Sequence, residues 1–126
     1  MGRENKLRDQ AFGKFAEDKA TEYYISRGYA IRERNWRCHR IEIDIIAQTG
    51  NVMVFVEVKA RSGKDMGAAE SVTLSKMKSM TRGADIYLKS QKGDYEYRYD
   101  IFALTGDFEE YTTEVIEDAF VSPLLR

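Results

Sequence analysis

Two runs of alternating side chains, IEIDIIAQ and VMVFVEVKA, lie on either side of Gly50-Asn51, and this pattern constrains the fold more than any other. A Gly-Asn pair suits the two central positions of a tight primed turn, which makes the runs an antiparallel hairpin. With Thr49 opposite Val52, Ile41 faces Ala60, Ile43 faces Val58, Ile45 faces Val56 and Ala47 faces Val54. None of those side chains is polar, so that face is predicted to be buried. The other face sets Ile46 opposite Phe55, Asp44 opposite Glu57 and Glu42 opposite Lys59. The acidic residues and the lysine are therefore expected to share one patch.

Directly opposed strand residues have Cβ atoms about 5 Å apart, and like charges at that distance destabilise the pair unless something neutralises them. A hard divalent cation such as Mg2+ does so, because it takes oxygen ligands, commonly one or two carboxylates with water and substrate phosphate. A lysine on the same face can orient the attacking water or steady charge on a phosphate. The same residues also read as a solvated salt-bridge face on a sheet open to water on one side. Ile46 opposite Phe55 speaks against that second reading, since it indicates a partly covered face whose charges lie in a cleft.

Before the hairpin, Phe12, Phe15, Ala16, Ala20 and Tyr23 recur at helical spacing and Gly28 stands as a stop signal, predicting a helix over roughly residues 6–27. Residues 29–37 read as a strand that completes a three-stranded meander with the hairpin. A polar stretch from Arg61 to Glu70 is expected to form a mobile loop. After it, Met77, Met80, Ala84, Tyr87 and Leu88 form one helical stripe, the methionines serving as core filler. YEYRYDIFAL and TTEVI are two further strands. The expected order α-β-β-β-α-β-β gives an α/β fold, a mixed sheet flanked by helices, in one domain spanning residues 1–126.

Several chemistries are excluded by composition. Cys38 and His39 are the only residues of their kinds, so neither a disulfide framework nor a Cys/His zinc site is available. A bound metal must be held by carboxylates. The hydroxyls, Ser71 and Ser75 among them, have no base at recognisable spacing, and no glycine-rich phosphate loop is present. Trp36 is expected in the core rather than stacked on a base. The chain has no long apolar run and no signal-peptide pattern, so a cytoplasmic location is expected. Its net charge of −1 conceals an asymmetry: residues 1–92 carry 18 Lys/Arg against 12 Asp/Glu, whereas residues 93–126 carry 2 against 9.

Asp44, followed after twelve residues by Glu57-Val58-Lys59, resembles the PD-(D/E)xK nuclease signature. Over nearly its whole length the chain is similar to the YraN family of endonuclease-related bacterial proteins, itself similar to archaeal Holliday-junction resolvases. The likeness includes Gly13, Ala16-Glu17, Ala20, Gly28-Tyr29, Arg34-Asn35-Trp36-Arg37, Glu42-Ile43-Asp44 and Phe55 to Lys59 with Arg61. It extends to Val72, Lys76, Ala84, Tyr87-Leu88, Arg98, Asp100 and Ala119-Phe120. One departure is Ile41, where the family's pattern favours glycine.

The resemblance implies a restriction-endonuclease-like core in which Asp44 and Glu57 bind Mg2+ or Mn2+, the Val58 carbonyl adds a ligand, Lys59 assists the water and Glu17 supplies an additional acid. Arg61, Lys64, Lys76 and Arg82 are candidate phosphate contacts. The function expected is a metal-dependent endonuclease for DNA, acting on structured or branched forms. The rival is a nucleic-acid-binding module of the same fold that does not cleave. A homodimer would suit two-strand cleavage, with the strand carrying Tyr95, Tyr97 and Tyr99 as either an interface edge or core.

Overall fold

The computed structural model describes residues 2–63 and 72–121, in the order α1 (Gly2–Ser26), β1 (Ala30–Cys38), β2 (Ile41–Thr49), β3 (Val52–Arg61), α2 (Leu74–Ser90), β4 (Glu96–Gly106) and β5 (Tyr111–Ile116). Lys64 and most of the stretch expected to be a mobile loop lie outside those residues.

The central hairpin forms in the expected register, from Thr49↔Val52 to Ile45↔Val56. Of the two turn residues only Gly50 takes a positive φ, 57°, the pattern of a II′ turn, whose hand matches the twist of the strands it joins. The sheet runs β1-β2-β3-β4-β5, with β3 and β4 parallel and every other pair antiparallel. A parallel neighbour requires a crossover, and α2 lies in it.

Because side chains alternate along β3, its two faces build two cores. Val54 and Val56 pack with Ile45, Ala47, Phe102 and Leu104 against Ala16, Ala20 and Tyr24 of α1. Met53 and Phe55 pack with Ile43, Ile46 and Tyr99 against Met80, Ala84 and Tyr87 of α2. The buried aliphatic and aromatic side chains in these layers each contribute about 1.5–3 kcal/mol. Trp36, partly buried, packs against the α2 layer edge-on to Tyr87, with ring centroids 5.6 Å apart, at the margin of the core it was expected to join.

α1 starts earlier than its apolar stripe, at Gly2, and residues 2–11 are exposed. It ends where Gly28, at φ 88°, lets Tyr29 N–H donate to the Tyr24 carbonyl and Gly28 N–H to that of Ile25. That pair of bonds is a Schellman stop. β5 pairs with β4 only from Ile101 to Gly106, so residues 96–100 pair with β3 alone; there Tyr97 is exposed, while Tyr99 is buried against α2 with Phe120 stacked on it at 4.6 Å. No helix among the described residues is long and apolar enough to cross a membrane.

One buried group ties α1 to β4. Asp100, fully buried, accepts from Tyr24 Oη at 2.8 Å, from Arg98 Nε at 2.9 Å and from the Asp118 amide at 3.0 Å. Burial and the adjacent carboxylate raise the Tyr24 pKa, so this phenol stays a donor.

Candidate active site at a strand fork

β2 and β3 pair only as far as Ile45 and Val56, and beyond that point the two strands part. β3 stays paired to β4 out to Arg61↔Thr105, and β2 stays paired to β1 out to Ile41↔Cys38. Asp44 fills the mouth of the fork. Its Oδ2 accepts the Val58 N–H at 2.8 Å, satisfying a strand amide that has left the hairpin ladder.

A left-handed residue stands opposite Asp44 at the fork. The β1–β2 register passes from Arg34↔Ile45 to Trp36↔Ile43, leaving Asn35 beside Asp44, and Asn35 takes a φ of 51°. Asparagine tolerates this left-handed conformation better than most residues. The observed packing corrects the face assignment from simple alternation. Ile43 and Ile45 were expected together, but Ile45 joins the α1 core and Ile43 the α2 core. Ile41 follows Ile43: the two contact Gly83 of α2, where an added Cβ would stand 2.7 Å from Ile41 Cγ2 and 2.9 Å from Ile43 Cδ1. Ile41 therefore fills the α2 side over a glycine, rather than the α1 core.

Glu57 occupies a position that alternation gives to an apolar side chain of the α2 layer, between Phe55 and Lys59. It is 5% exposed. A carboxylate this buried needs partners. Lys59 Nζ lies 3.5 Å from its Oε2 and Lys76 Nζ lies 3.5 Å from its Oε1. Lys76 also donates to the Glu42 carbonyl at 3.4 Å. The expected pairing of Glu42 with Lys59 does not form; the Glu42 carboxylate turns to Arg37, at 3.4 Å. Burial, followed by the charge of Glu57, pushes Asp44 up to about 8, while the Val58 amide and Lys76 pull in the opposite direction.

The fork therefore gathers Asp44, Glu57, Lys59 and Lys76. Of the remaining expected site residues, Glu17 lies toward β1, its Oε1 buried without a hydrogen-bond partner and 3.9 Å from Arg34 Nη2. No hydrogen bond or ion pair joins Glu17 to Asp44 or Glu57 among the described residues. Arg61 ends β3, half-buried, beside a cavity of about 700 Å³ that Arg8, Phe12 and Phe108 also line. Arg82 is exposed on α2.

A cation at the fork would rest on two carboxylates and backbone oxygen, because no three His, Cys, Asp or Glu side chains converge as a ligand set among the described residues. That donor set fits a hard divalent ion, which accepts oxygen ligands and keeps some of its water. The repulsion that lifts Asp44 is the kind of strain such an ion relieves.

Lys76, expected as a phosphate contact, reaches Glu57 from the far side of the crossover, an ion pair that periodicity does not predict. A local signal was available: Thr73 caps α2, its Oγ1 accepting the Lys76 N–H at 3.1 Å, and the third helical residue is then a lysine. A carboxylate is the favoured residue there.

The order α-β-β-β-α-β-β around a mixed sheet roughly matches a restriction-endonuclease-like core, and that is the class of α/β protein this fold defines. Within it, the chain belongs to the uncharacterised protein family UPF0102, the YraN family, whose pattern matches residues 16–104. It is 40% identical over 114 residues to a UPF0102 protein of Phocaeicola vulgatus, covering 90% of this chain and 94% of that one. A Flavobacterium psychrophilum relative is 41% identical over 109 residues, covering 86% of this chain and 92% of that protein. A Nitrosomonas europaea relative is 39% identical over the same length, with the same coverage.

Proposed function

We propose that the chain is a divalent-metal-dependent endonuclease that hydrolyses phosphodiester bonds of DNA, on branched or otherwise structured forms. The observation that carries this reading is the convergence of Asp44 and Glu57 at the fork, two half-buried to buried carboxylates with Lys59 alongside. Mg2+ or Mn2+ bound there supplies Lewis acidity and neutralises charge at the scissile phosphate. Asp44 and Glu57 hold the ion, and the Val58 amide fixes the orientation of the Asp44 carboxylate. Lys59 is placed to hydrogen-bond either the attacking water or a phosphate oxygen. Water forms the new P–O bond, the bond to the leaving sugar oxygen breaks, and that oxygen takes up a proton. Arg61 and Arg82 are basic groups for the flanking phosphates, and Glu17 is a further acid contributed by α1.

The test is incubation with Mn2+ and labelled linear, single-stranded and four-way-junction DNA, for the parent, Asp44→Ala and Lys59→Ala. Cleavage by the parent, reduced about a hundredfold or more in both folded variants, supports the reading. Equal cleavage by a folded variant removes that residue from the mechanism. Binding of DNA with no product under any metal condition identifies instead a non-cleaving binding module of the same fold.

A further inference from the structure

Lys76 is placed against the preference of its own helix. It is the third residue of α2, following a threonine cap, and the first turn of α2 holds no acidic residue. The N-terminal end of a helix carries partial positive charge and favours anions, so a lysine there is disfavoured unless another element supplies its partner. The partner is the fork: Glu57 Oε1 at 3.5 Å and the Glu42 carbonyl at 3.4 Å, from two different strands. Gly83, further along α2, has no room for a side chain against Ile41 and Ile43, so the helix is seated directly on β2. An ammonium thus rests against oxygens of the same two strands that would hold a divalent cation.

We propose that Lys76 is a tethered counter-ion, which occupies the cation position of the fork and vacates it when a divalent cation and a phosphate enter together. This rests on the metal-dependent reading of the site. A divalent ion held by Asp44 and Glu57 repels the ammonium in a half-buried setting, where charge is poorly screened. The Lys76 side chain, 30% exposed, has a flexible stem and can turn outward, where a phosphate oxygen is its natural partner. Cation and phosphate then assist each other: the cation frees Lys76 for the phosphate, and the phosphate draws Lys76 away from the cation position. Lys59 differs from Lys76 in lying on the same strand as Glu57, which it meets through the other oxygen.

The experiment is calorimetric titration of Mn2+ into the full chain, parent and Lys76→Met, with and without dimethyl phosphate as the smallest phosphodiester probe. Methionine keeps the length and packing of the stem while removing the charge. Freeing Glu57 from a partly exposed ion pair and from repulsion should tighten Mn2+ binding about tenfold in Lys76→Met. Dimethyl phosphate should tighten Mn2+ binding by a larger factor in the parent than in the variant, where only its direct contact with the ion remains. Lys76→Arg, which keeps the charge, should bind Mn2+ no more tightly than the parent, and Lys76→Gln replaces Lys76→Met should the latter not fold. Equal or weaker Mn2+ binding by the folded neutral variant overturns the counter-ion while leaving the metal-dependent reading intact. Absence of Mn2+ binding in both parent and variant overturns the two together.

Discussion

Replacing Asp44 by asparagine should make the metal-free protein more stable at mildly alkaline pH. Burial and the Glu57 charge lift the Asp44 carboxyl from 3.8 to about 8, so folding retains a proton that the unfolded chain gives up near pH 4. A carboxyl raised in this way contributes its full stability below the unfolded value and loses it as pH climbs through the folded one. The ceiling for an isolated group is about 1.4 kcal/mol for each pH unit of that window. Lys59 and Lys76 neutralise part of the ionised pair, so the loss expected between about pH 5 and pH 8 is smaller, about 2 kcal/mol. Asparagine offers Val58 N–H an oxygen acceptor without the charge, so the variant should show a flat profile. For a chain of this length the gap at pH 8 corresponds to a Tm difference of roughly 7 °C in favour of Asp44→Asn. Urea denaturation in chelator-containing buffers, followed through Trp36, measures it. A parent whose stability does not fall over that range, or a variant that keeps the parent's slope, would refute the buried carboxylate pair as its source.

Three further outcomes follow from the same geometry. Adding Mn2+ should raise the parent's Tm and flatten its decline with pH, with no such response in Asp44→Asn; scanning calorimetry at two pH values checks both. Gly83→Val should cost about 2–3 kcal/mol by forcing α2 off β2, and Ile41→Ala in the same chain should recover part of that loss, which a double-mutant cycle in urea resolves. Asp100→Ala should cost about 3 kcal/mol, since it leaves Arg98 and the Tyr24 hydroxyl without their shared acceptor, and denaturant midpoints would report it.

The hairpin register was legible because a buried face and a tight turn leave few alternatives. Each observed pair from Ile45↔Val56 to Thr49↔Val52 follows from Gly50-Asn51 and period-two alternation. Alternation failed at Asp44, which stands opposite Asn35 and its left-handed φ and just beyond the last β2–β3 pair, features that the hairpin sequence by itself does not show. Asp44 and Glu57 could be brought together from the register alone. Lys76 could not, because a helix beyond a crossover is positioned by packing, here by Gly83 against Ile41 and Ile43. The residue that departs from the family's pattern is thus accommodated by a glycine that no local pattern singles out.

The placement of β3 has a further consequence for how the chain assembles. Its side chains from Met53 to Val56 are fully buried, and one of its two hydrogen-bonding edges is closed only by residues 96–105 of β4. The antiparallel edge forms early, through a two-residue turn, whereas the parallel edge must wait for the whole crossover, a non-local and slower step. During synthesis or refolding the most apolar strand therefore passes through a stage with an open edge, the arrangement most prone to associate with another chain. Chains cut before residue 96 lack every β4 partner and remain in that stage, so truncation there should yield aggregates rather than a smaller folded core.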